Sequence, residues 1–162
     1  AARKSEIFRL KWEDIDFEHD KIRLWTKKTK NGSWKYNWLP LVSQLKDDLL
    51  DWWESRENKT SEYIFTVLDG SSTTNQHKGE SFKDRRHFML SKCQAAGVSP
   101  PFTFRAIRHL SAGILYKAGH PIPVIQKILR HESPHTTERY LKHRGFDTEV
   151  KEALESEFEG RK

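Results

Sequence analysis

Hydrophobic and polar positions near the N-terminus predict a β-hairpin followed by a helix. Two strand-like runs in residues 21–41 lie on either side of Lys30-Asn31-Gly32. Asn-Gly between such runs is a strong short-range hairpin signal. Apolar residues then recur at helical spacing over Ser43–Arg56, and EYIFTV (62–67) is consistent with a short strand.

From residue 81 onward the pattern is almost entirely helical. A helix is predicted over Ser81–Ala96, ending at Gly97, where glycine can adopt the left-handed cap conformation. After a Ser-Pro-Pro break, four further helical patterns follow, in 103–120, 121–131, 133–143 and 146–158. In the last pattern an apolar residue recurs every four positions on an otherwise acidic helix, which therefore needs a partner surface in this chain or in a second copy: Phe146, Val150, Leu154 and Phe158.

The fold class expected from these elements is α+β, mainly helical, with a small antiparallel β-sheet. A length of 162 residues with 35% hydrophobic content is enough for one domain with a sizeable core. No apolar run approaches the length of a membrane span, and residues 1–12 lack the apolar stretch of a signal peptide. We therefore expect a soluble, cytoplasmic protein. A single cysteine, Cys93, excludes an internal disulfide.

The charge of the chain is unevenly distributed. The net charge is +6, but residues 147–162 carry six acidic and three basic side chains, so residues 1–146 have a net charge of +9. A basic body of this kind suits a polyanionic partner, most simply nucleic acid, although charge runs are also common on ordinary solvated faces.

Residues 131–135, HESPH, match the H-E-x-x-H pattern of zinc peptidases. That site requires both histidines on one face of an unbroken helix. Pro134 lies between them, and proline is tolerated in a helix mainly at its first position, with Ser133 before it as a good N-cap. A new helix is therefore predicted to begin at Pro134, leaving His131 in the preceding turn, and the zinc interpretation is rejected. We expect no metal and no cofactor.

Arg105 and Arg108 lie three positions apart on the predicted helix that begins near residue 103. Helical projection places Arg108 at the edge of an apolar arc made of Phe104, Ile107, Leu110, Ile114 and Leu115. A guanidinium half-buried there, one turn from a like charge, is destabilising unless an anion meets it. That anion could be an external phosphate, or a carboxylate of the chain itself such as Glu6 or Asp84.

Four short segments occur in a recognisable order: ARKSE (2–6), KTKNG (28–32), FRAIRH (104–109) and LRHESPHTTERY (129–140). In order and spacing they resemble the catalytic boxes of the tyrosine recombinases, the phage integrase family. Any one box occurs often by chance, whereas four in sequence, with a tyrosine nine residues after His131, are specific.

Two positions depart from the family pattern. Arg105 occupies the place of a histidine, and Arg130 that of a glycine. Arginine can donate hydrogen bonds to a phosphate but cannot shuttle protons, because its pKa exceeds about 12. An acid-base role at position 105 is therefore excluded, while phosphate binding there is retained.

The resemblance implies DNA cleavage and rejoining by transesterification. Tyr140 would be the nucleophile, forming a 3′-phosphotyrosyl link. Lys30 would protonate the departing 5′ oxygen, with Lys28 as the alternative hairpin lysine. The remaining site residues would hold the phosphate by charged donors and hydrogen bonds: Arg3, Arg105, Arg108 and His131.

The resemblance also implies that residues 1–162 form the catalytic domain, without the N-terminal DNA-binding domain of the family. The partner would be double-stranded DNA, on which protomers form a tetramer through the C-terminal helix. The protein would be bacterial or phage-encoded and would lie in the cytoplasm on nucleoid DNA. Two alternatives share the fold: a type IB topoisomerase-like enzyme and a catalytically impaired DNA-binding regulator. A third alternative, a generic basic structural protein, would leave the ordered boxes to coincidence.

Overall fold

A computed structural model describes residues 1–27, 32–68, 77–83, 85 and 87–142 of the chain. These residues belong to two compact units. We call Ala2–Pro101 the sheet unit, and the residues from Phe102 onward, together with Ala1, the helical unit. No helix in the described ranges is both long enough and apolar enough to cross a membrane.

The sheet unit is built around a three-stranded antiparallel sheet in the order β1-β2-β3. Ile22 pairs with Ile15 on one side and with Leu39 on the other, and the pairing is described as far as Lys27 with Trp34. The predicted hairpin strands are thereby confirmed. In chain order the elements are α1 (Lys4–Phe8), a 3₁₀ turn (Trp12–Asp14), β1 (Ile15–Asp16), β2 (Lys21–Lys27), β3 (Trp34–Pro40), α2 (Ser43–Ser55) and α3 (Phe88–Ala95).

Alternation along β2 decides which side of the sheet is core. Ile22 and Leu24 are buried, whereas Lys21, Arg23 and Trp25 lie on the opposite face. Helix α2 packs Leu49 into this core. The predicted end of this helix, Arg56, lies one residue after the observed end. The buried residues of the cluster are Leu10, Ile15, Ile22, Leu24, Leu41, Leu49 and Ile64.

Residues 62–67 run extended but form isolated bridges instead of a strand. Ile64 donates to the carbonyl of Leu10 at 2.9 Å, and the bridges join Lys11 with Tyr63 and Thr66 with Ser81. Ser81 is therefore extended, and the helix predicted from Ser81 begins only at Phe88. Its end was predicted correctly, because Gly97 adopts φ +66°. Helical periodicity alone could not reveal the pairing with Thr66.

The helical unit contains α4 (Phe104–Lys117), α5 (Ile122–Leu129) and α6 (Pro134–Lys142), all of which were predicted. The Thr103 hydroxyl caps α4 by accepting from the Ala106 amide at 3.0 Å. The core cluster of this unit joins the three helices through Ala112, Ile125, Leu129 and Leu141. The apolar stripe over 146–158 lies outside the described residues.

The buried face of α4 differs from the predicted apolar arc. Ile107, Leu110 and Ile114 are exposed, whereas Arg108 is buried together with Ala112. Small side chains at Ala112 and Gly113 allow close approach of neighbouring helices, and the polar end of Arg108 meets main-chain oxygens, as described below. Tertiary hydrogen bonds therefore outweigh the amphipathic pattern of this helix.

Candidate active site

Arg108 joins α4 to the end of α5. Its guanidinium donates to the carbonyl oxygen of Leu129 and to that of Ala1, and the residue is only 4% exposed. Burying a guanidinium is tolerated when its donors find acceptors, and two of its five N–H donors bind main-chain oxygens here. Leu129 is the last residue of α5 and lies two residues before His131. The structure thus holds Arg108 beside the turn that contains His131.

His131 is fixed on its backbone and on its ring. Its amide donates to the Gln126 carbonyl at 3.2 Å, and its carbonyl accepts from Gln126 Nε2 at 3.1 Å. The ring Nδ1 lies 2.9 Å from Oγ1 of Thr137, a side chain with no exposed surface. This contact fixes the orientation of the imidazole ring against α6.

The turn before His131 has an unusual backbone. Arg130 follows α5 in the left-handed conformation, with φ 55° and ψ 45°. This is the position at which the family pattern has glycine, the residue that adopts such angles without steric cost. The structure therefore explains the family preference and shows that this chain accommodates arginine there.

Helix α6 begins at Pro134, as predicted, so His131 precedes the helix that contains His135. His135 is exposed and its Nδ1 lies 3.7 Å from Glu138 Oε2. Across the part of the chain that the structure describes, no group of three or more His, Cys, Asp or Glu residues is arranged to hold a metal ion. The backbone of Tyr140 lies in α6, between Thr137 and Leu141, which both contribute buried side chains.

Arg105 lies one turn before Arg108 on α4 and is exposed to solvent. Its Nε donates to Nε2 of His109 at 3.3 Å. The side chain is therefore accessible to an external anion.

Arg3 belongs to the sheet unit, where it precedes α1. Its Nη1 lies 2.8 Å from Glu6 Oε1, and its amide donates to Glu6 Oε2 at 2.6 Å. Glu6 is 2% exposed and also accepts from the Thr26 hydroxyl at 2.6 Å. The carboxylate suggested as a partner for the α4 arginines thus binds Arg3, and through Thr26 it ties that arginine to β2.

Lys30 and the alternative Lys28 lie outside the described residues, in the segment that joins β2 to β3. The flanking strands are paired as far as Lys27 and Trp34. Asp84, the other carboxylate suggested for the arginines, also lies outside the described residues.

The sequence was compared with models of known protein families. The model described as the phage integrase family matches residues 1–145. The chain belongs to the phage integrase family. All four boxes lie within the matched range, so the resemblance inferred from them is confirmed. Among curated proteins, none matches this integrase-family chain significantly.

Solved structures of recombinases share the fold. The XerA recombinase is 23% identical, with a TM-score of 0.65 over 85% of this chain and 47% of that one. The Tn1549 transposon integrase, in complex with a circular intermediate DNA, is 17% identical, with a TM-score of 0.67 over 95% and 54%. The XerH site-specific recombinase bound to palindromic difH substrate is 21% identical, with a TM-score of 0.60 over 97% and 42%.

These likenesses establish the fold as that of a tyrosine recombinase catalytic domain, and the predicted fold class is confirmed. The integrase-family chain spans about half the length of the recombinase structures that it matches.

Sequence reasoning missed two residues that hold predicted site residues in place, one in each unit. Thr137 is part of TTERY, but only the structure shows its hydroxyl on His131. Thr26 lies in β2, and nothing in the sequence linked it with Glu6. The sequence offered one signal for Thr137, namely its position six residues after His131. In the structure Thr137 and Leu141 form the buried side of α6.

Proposed function

We propose that this chain supplies the catalytic part of a site-specific DNA recombinase, which cuts and rejoins double-stranded DNA in the cytoplasm. One observation carries the proposal furthest. Arg108 is bound to the carbonyl of Leu129, so a guanidinium and the His131 imidazole lie at the same end of α5, directly before the helix that contains Tyr140. Cationic donors beside a tyrosine-bearing helix suit attack on a phosphodiester. Solved structures of similar fold include complexes with DNA, which supports DNA as the substrate.

In the proposed reaction the Tyr140 hydroxyl gives its proton to solvent water and its oxygen attacks the scissile phosphorus. A P–O bond to the tyrosine forms, and the bond from phosphorus to the 5′ oxygen breaks. Lys30, or Lys28, gives its proton to that oxygen. The covalent intermediate conserves the phosphoester bond, so the reverse attack by a 5′ hydroxyl rejoins DNA without ATP.

Charge builds up on the non-bridging oxygens during the attack. Arg3 and Arg108 would meet it with forked N–H donors, assisted by Arg105 and His131. Each donor removed is expected to cost on the order of 10²- to 10³-fold in cleavage rate. Because these side chains supply the positive charge, the reaction is proposed to need no metal ion.

The test is capture of the covalent intermediate. The chain is incubated with a pool of nicked duplexes of randomised sequence, in which the strand beyond the nick diffuses away after cleavage. Denaturing gels then detect protein joined to DNA. The adduct is expected in the wild type, with or without a chelator, and not in Tyr140→Phe.

Tyr116→Phe is the matched control, since Tyr116 is a partly buried tyrosine of the same unit, and it is expected to keep the adduct. Adduct formation by Tyr140→Phe would contradict the assignment of the nucleophile. Lys30→Ala and Lys28→Ala are then compared on a substrate with a 5′ sulfur leaving group, which needs no proton. Only the variant that lacks the true general acid is expected to regain cleavage on this substrate.

We further propose that protomers assemble as a tetramer on DNA through the apolar stripe of residues 146–158. Leu154→Asp places a charge in that stripe. Sedimentation of DNA complexes is expected to show smaller assemblies for this variant, with adduct formation retained on single sites. Assemblies of unchanged size would contradict the role of the stripe.

A further inference from the structure

The outer face of the β2–β3 hairpin carries a continuous set of aromatic rings. Trp34, Tyr36 and Trp38 alternate along β3, so their side chains share one face about 7 Å apart. They are 48%, 50% and 42% exposed. Trp25, directly opposite Tyr36 on β2, lies with its ring centroid 4.8 Å from that of Tyr36. We call these four residues the aromatic face.

Cations flank the aromatic face at both ends. Arg9 and Lys27 lie 4.9 and 5.9 Å from the ring centroid of Trp34. Neither forms an ion pair with a carboxylate in the described ranges. At the other end Arg23 lies over the rings of Trp25, Tyr36 and Trp38, at 5.2, 5.8 and 5.5 Å.

Arg23 is fixed in place by acidic groups. Its Nε donates to Asp14 Oδ1 at 2.7 Å, and the indole of Trp25 donates to the same oxygen at 2.9 Å. Glu13 lies 3.6 Å from Nη2. Asp14 is only 1% exposed, so this end of the face is preorganised, whereas the Arg9 and Lys27 charges remain available to an anion.

Core packing does not account for this arrangement. The opposite face of the hairpin supplies Ile22, Leu24 and Leu39 to the core of the sheet unit. Cross-strand contacts such as Trp25 with Tyr36 stabilise a hairpin, but they do not require three neighbouring rings to stay about half exposed.

We propose that the aromatic face binds single-stranded DNA by stacking unpaired bases on Trp34, Tyr36 and Trp38, while Arg9 and Lys27 meet the phosphates. Exposed rings interleaved with cations are the chemistry that recognises single strands, because every unpaired base offers a flat π-surface. A duplex keeps its bases stacked on one another and offers the face only phosphates. The inference goes beyond the proposed cleavage reaction and does not depend on Tyr140.

The test uses fluorescence anisotropy to measure how tightly the 162-residue chain binds a fluorescein-labelled oligothymidylate. The double variant Trp34→Ala/Trp38→Ala is expected to weaken binding by on the order of 10-fold per ring. Trp34→Phe/Trp38→Phe keeps both rings and is expected to bind nearly as the wild type does. Phe102→Ala removes a ring of similar exposure, 47%, from the helical unit and is expected to change nothing.

A duplex of the same length distinguishes this face from the proposed active site. The alanine variant is expected to bind duplex as the wild type does. Equal weakening for both DNA forms, or unchanged binding of oligothymidylate, would overturn the inference. Tyr140→Phe is expected to bind oligothymidylate as the wild type does. Failure of the cleavage proposal would therefore show in adduct formation and leave oligothymidylate binding unchanged.

Tryptophan fluorescence provides a measurement that does not need the alanine variant to fold. Oligothymidylate is expected to quench the wild type strongly. In the phenylalanine variant the quenched fraction is expected to fall while binding by anisotropy persists, because the tryptophans in contact with bases are gone. Equal quenching of both proteins would overturn the inference, as would self-association through this face without DNA binding.

Discussion

A buried guanidinium such as that of Arg108 has to hydrogen-bond to several acceptors at once, and this requirement fixes more than its own position. The carbonyls of Leu129 and Ala1 accept from it. An arginine held in this way is oriented before any phosphate arrives, and preorganised donors are the ones that contribute most to transition-state stabilisation. Arg108 therefore serves both to hold α4 against the end of α5 and, in the proposed reaction, to present a fixed charge.

Thr137 is predicted to position His131. Thr137→Val keeps the shape of the buried side chain but removes the hydroxyl that lies 2.9 Å from Nδ1. The ring then loses the contact that fixes Nδ1, and a misplaced catalytic group can cost up to about 100-fold in rate. We expect adduct formation to slow by that factor, and ¹⁵N NMR to show a mixture of His131 tautomers.

Thr137→Ser is the matched control, because it keeps the hydroxyl. It is expected to restore a single tautomer and most of the rate. A Thr137→Val variant with wild-type rate and an unchanged His131 spectrum would contradict the positioning role.

The backbone at Arg130 predicts a stabilising substitution. A non-glycine residue at φ 55° bears steric strain of roughly 1 kcal/mol. Arg130→Gly removes this strain together with the side chain, whereas Arg130→Ala removes the side chain alone. In urea unfolding the glycine variant is expected to exceed the alanine variant by about 1 kcal/mol. Equal stability would show that the turn relaxes around alanine.

At the level of whole elements, the sequence predicts those whose signals are local. The hairpin strands follow from alternation and Asn-Gly, and the start of α6 follows from Pro134 after Ser133. The late start of α3 and the burial of Arg108 do not, because both arise from partners distant in sequence: Thr66 bridges Ser81, and Leu129 accepts from Arg108.

The extended segment at residues 62–64 is predicted to make stability depend on pH through its ion pair. Lys11 Nζ lies 2.9 Å from Glu62 Oε2, next to the bridge that pairs Lys11 with Tyr63. The hydrogen bond from Lys11 lowers the pKa of Glu62 below its ordinary 4.5. Hydrogen bonding to Glu62 likewise raises the pKa of Lys11 above 10.5, outweighing the opposing effect of desolvation.

The two pKa shifts set an acid limit and an alkaline limit on the pH range in which this ion pair stabilises the fold. The Glu62 contribution is present above its unfolded pKa and is lost as pH falls through the lowered folded pKa; that of Lys11 is lost only as pH rises through its raised pKa. Urea unfolding between about pH 7 and about pH 3 is expected to show a shallower acid loss for Glu62→Gln than for the wild type. Glu57→Gln, an exposed glutamate nearby, should leave the slope unchanged. Parallel curves for wild type and Glu62→Gln would refute the pair's contribution.

Over the whole chain, the sequence predicted the family correctly, because four ordered boxes resemble those of the phage integrases and the family model matches residues 1–145. The catalytic roles that the boxes assign stay predictions, and they concern Arg3, Lys30, Arg105, Arg108, His131 and Tyr140. What holds the side chains in place emerges only in three dimensions. Glu6 and Thr26 lie 20 residues apart in sequence, and the contact between them requires the fold of α1 against β2.

The uneven charge of the chain predicts its salt dependence on duplex DNA. Residues 147–162 are net acidic beside a body of +9, so they oppose binding of phosphates. Replacing Glu149, Glu152 and Glu155 by glutamine is expected to tighten binding to a random duplex at low salt, whereas Lys151→Gln should weaken it slightly. Both differences should vanish above roughly 0.5 M salt, where the Debye length falls to a few ångströms. Anisotropy titrations across a salt series measure this, and a difference that persists at high salt would mean that these glutamates act by a specific contact and not through the field of the acidic segment.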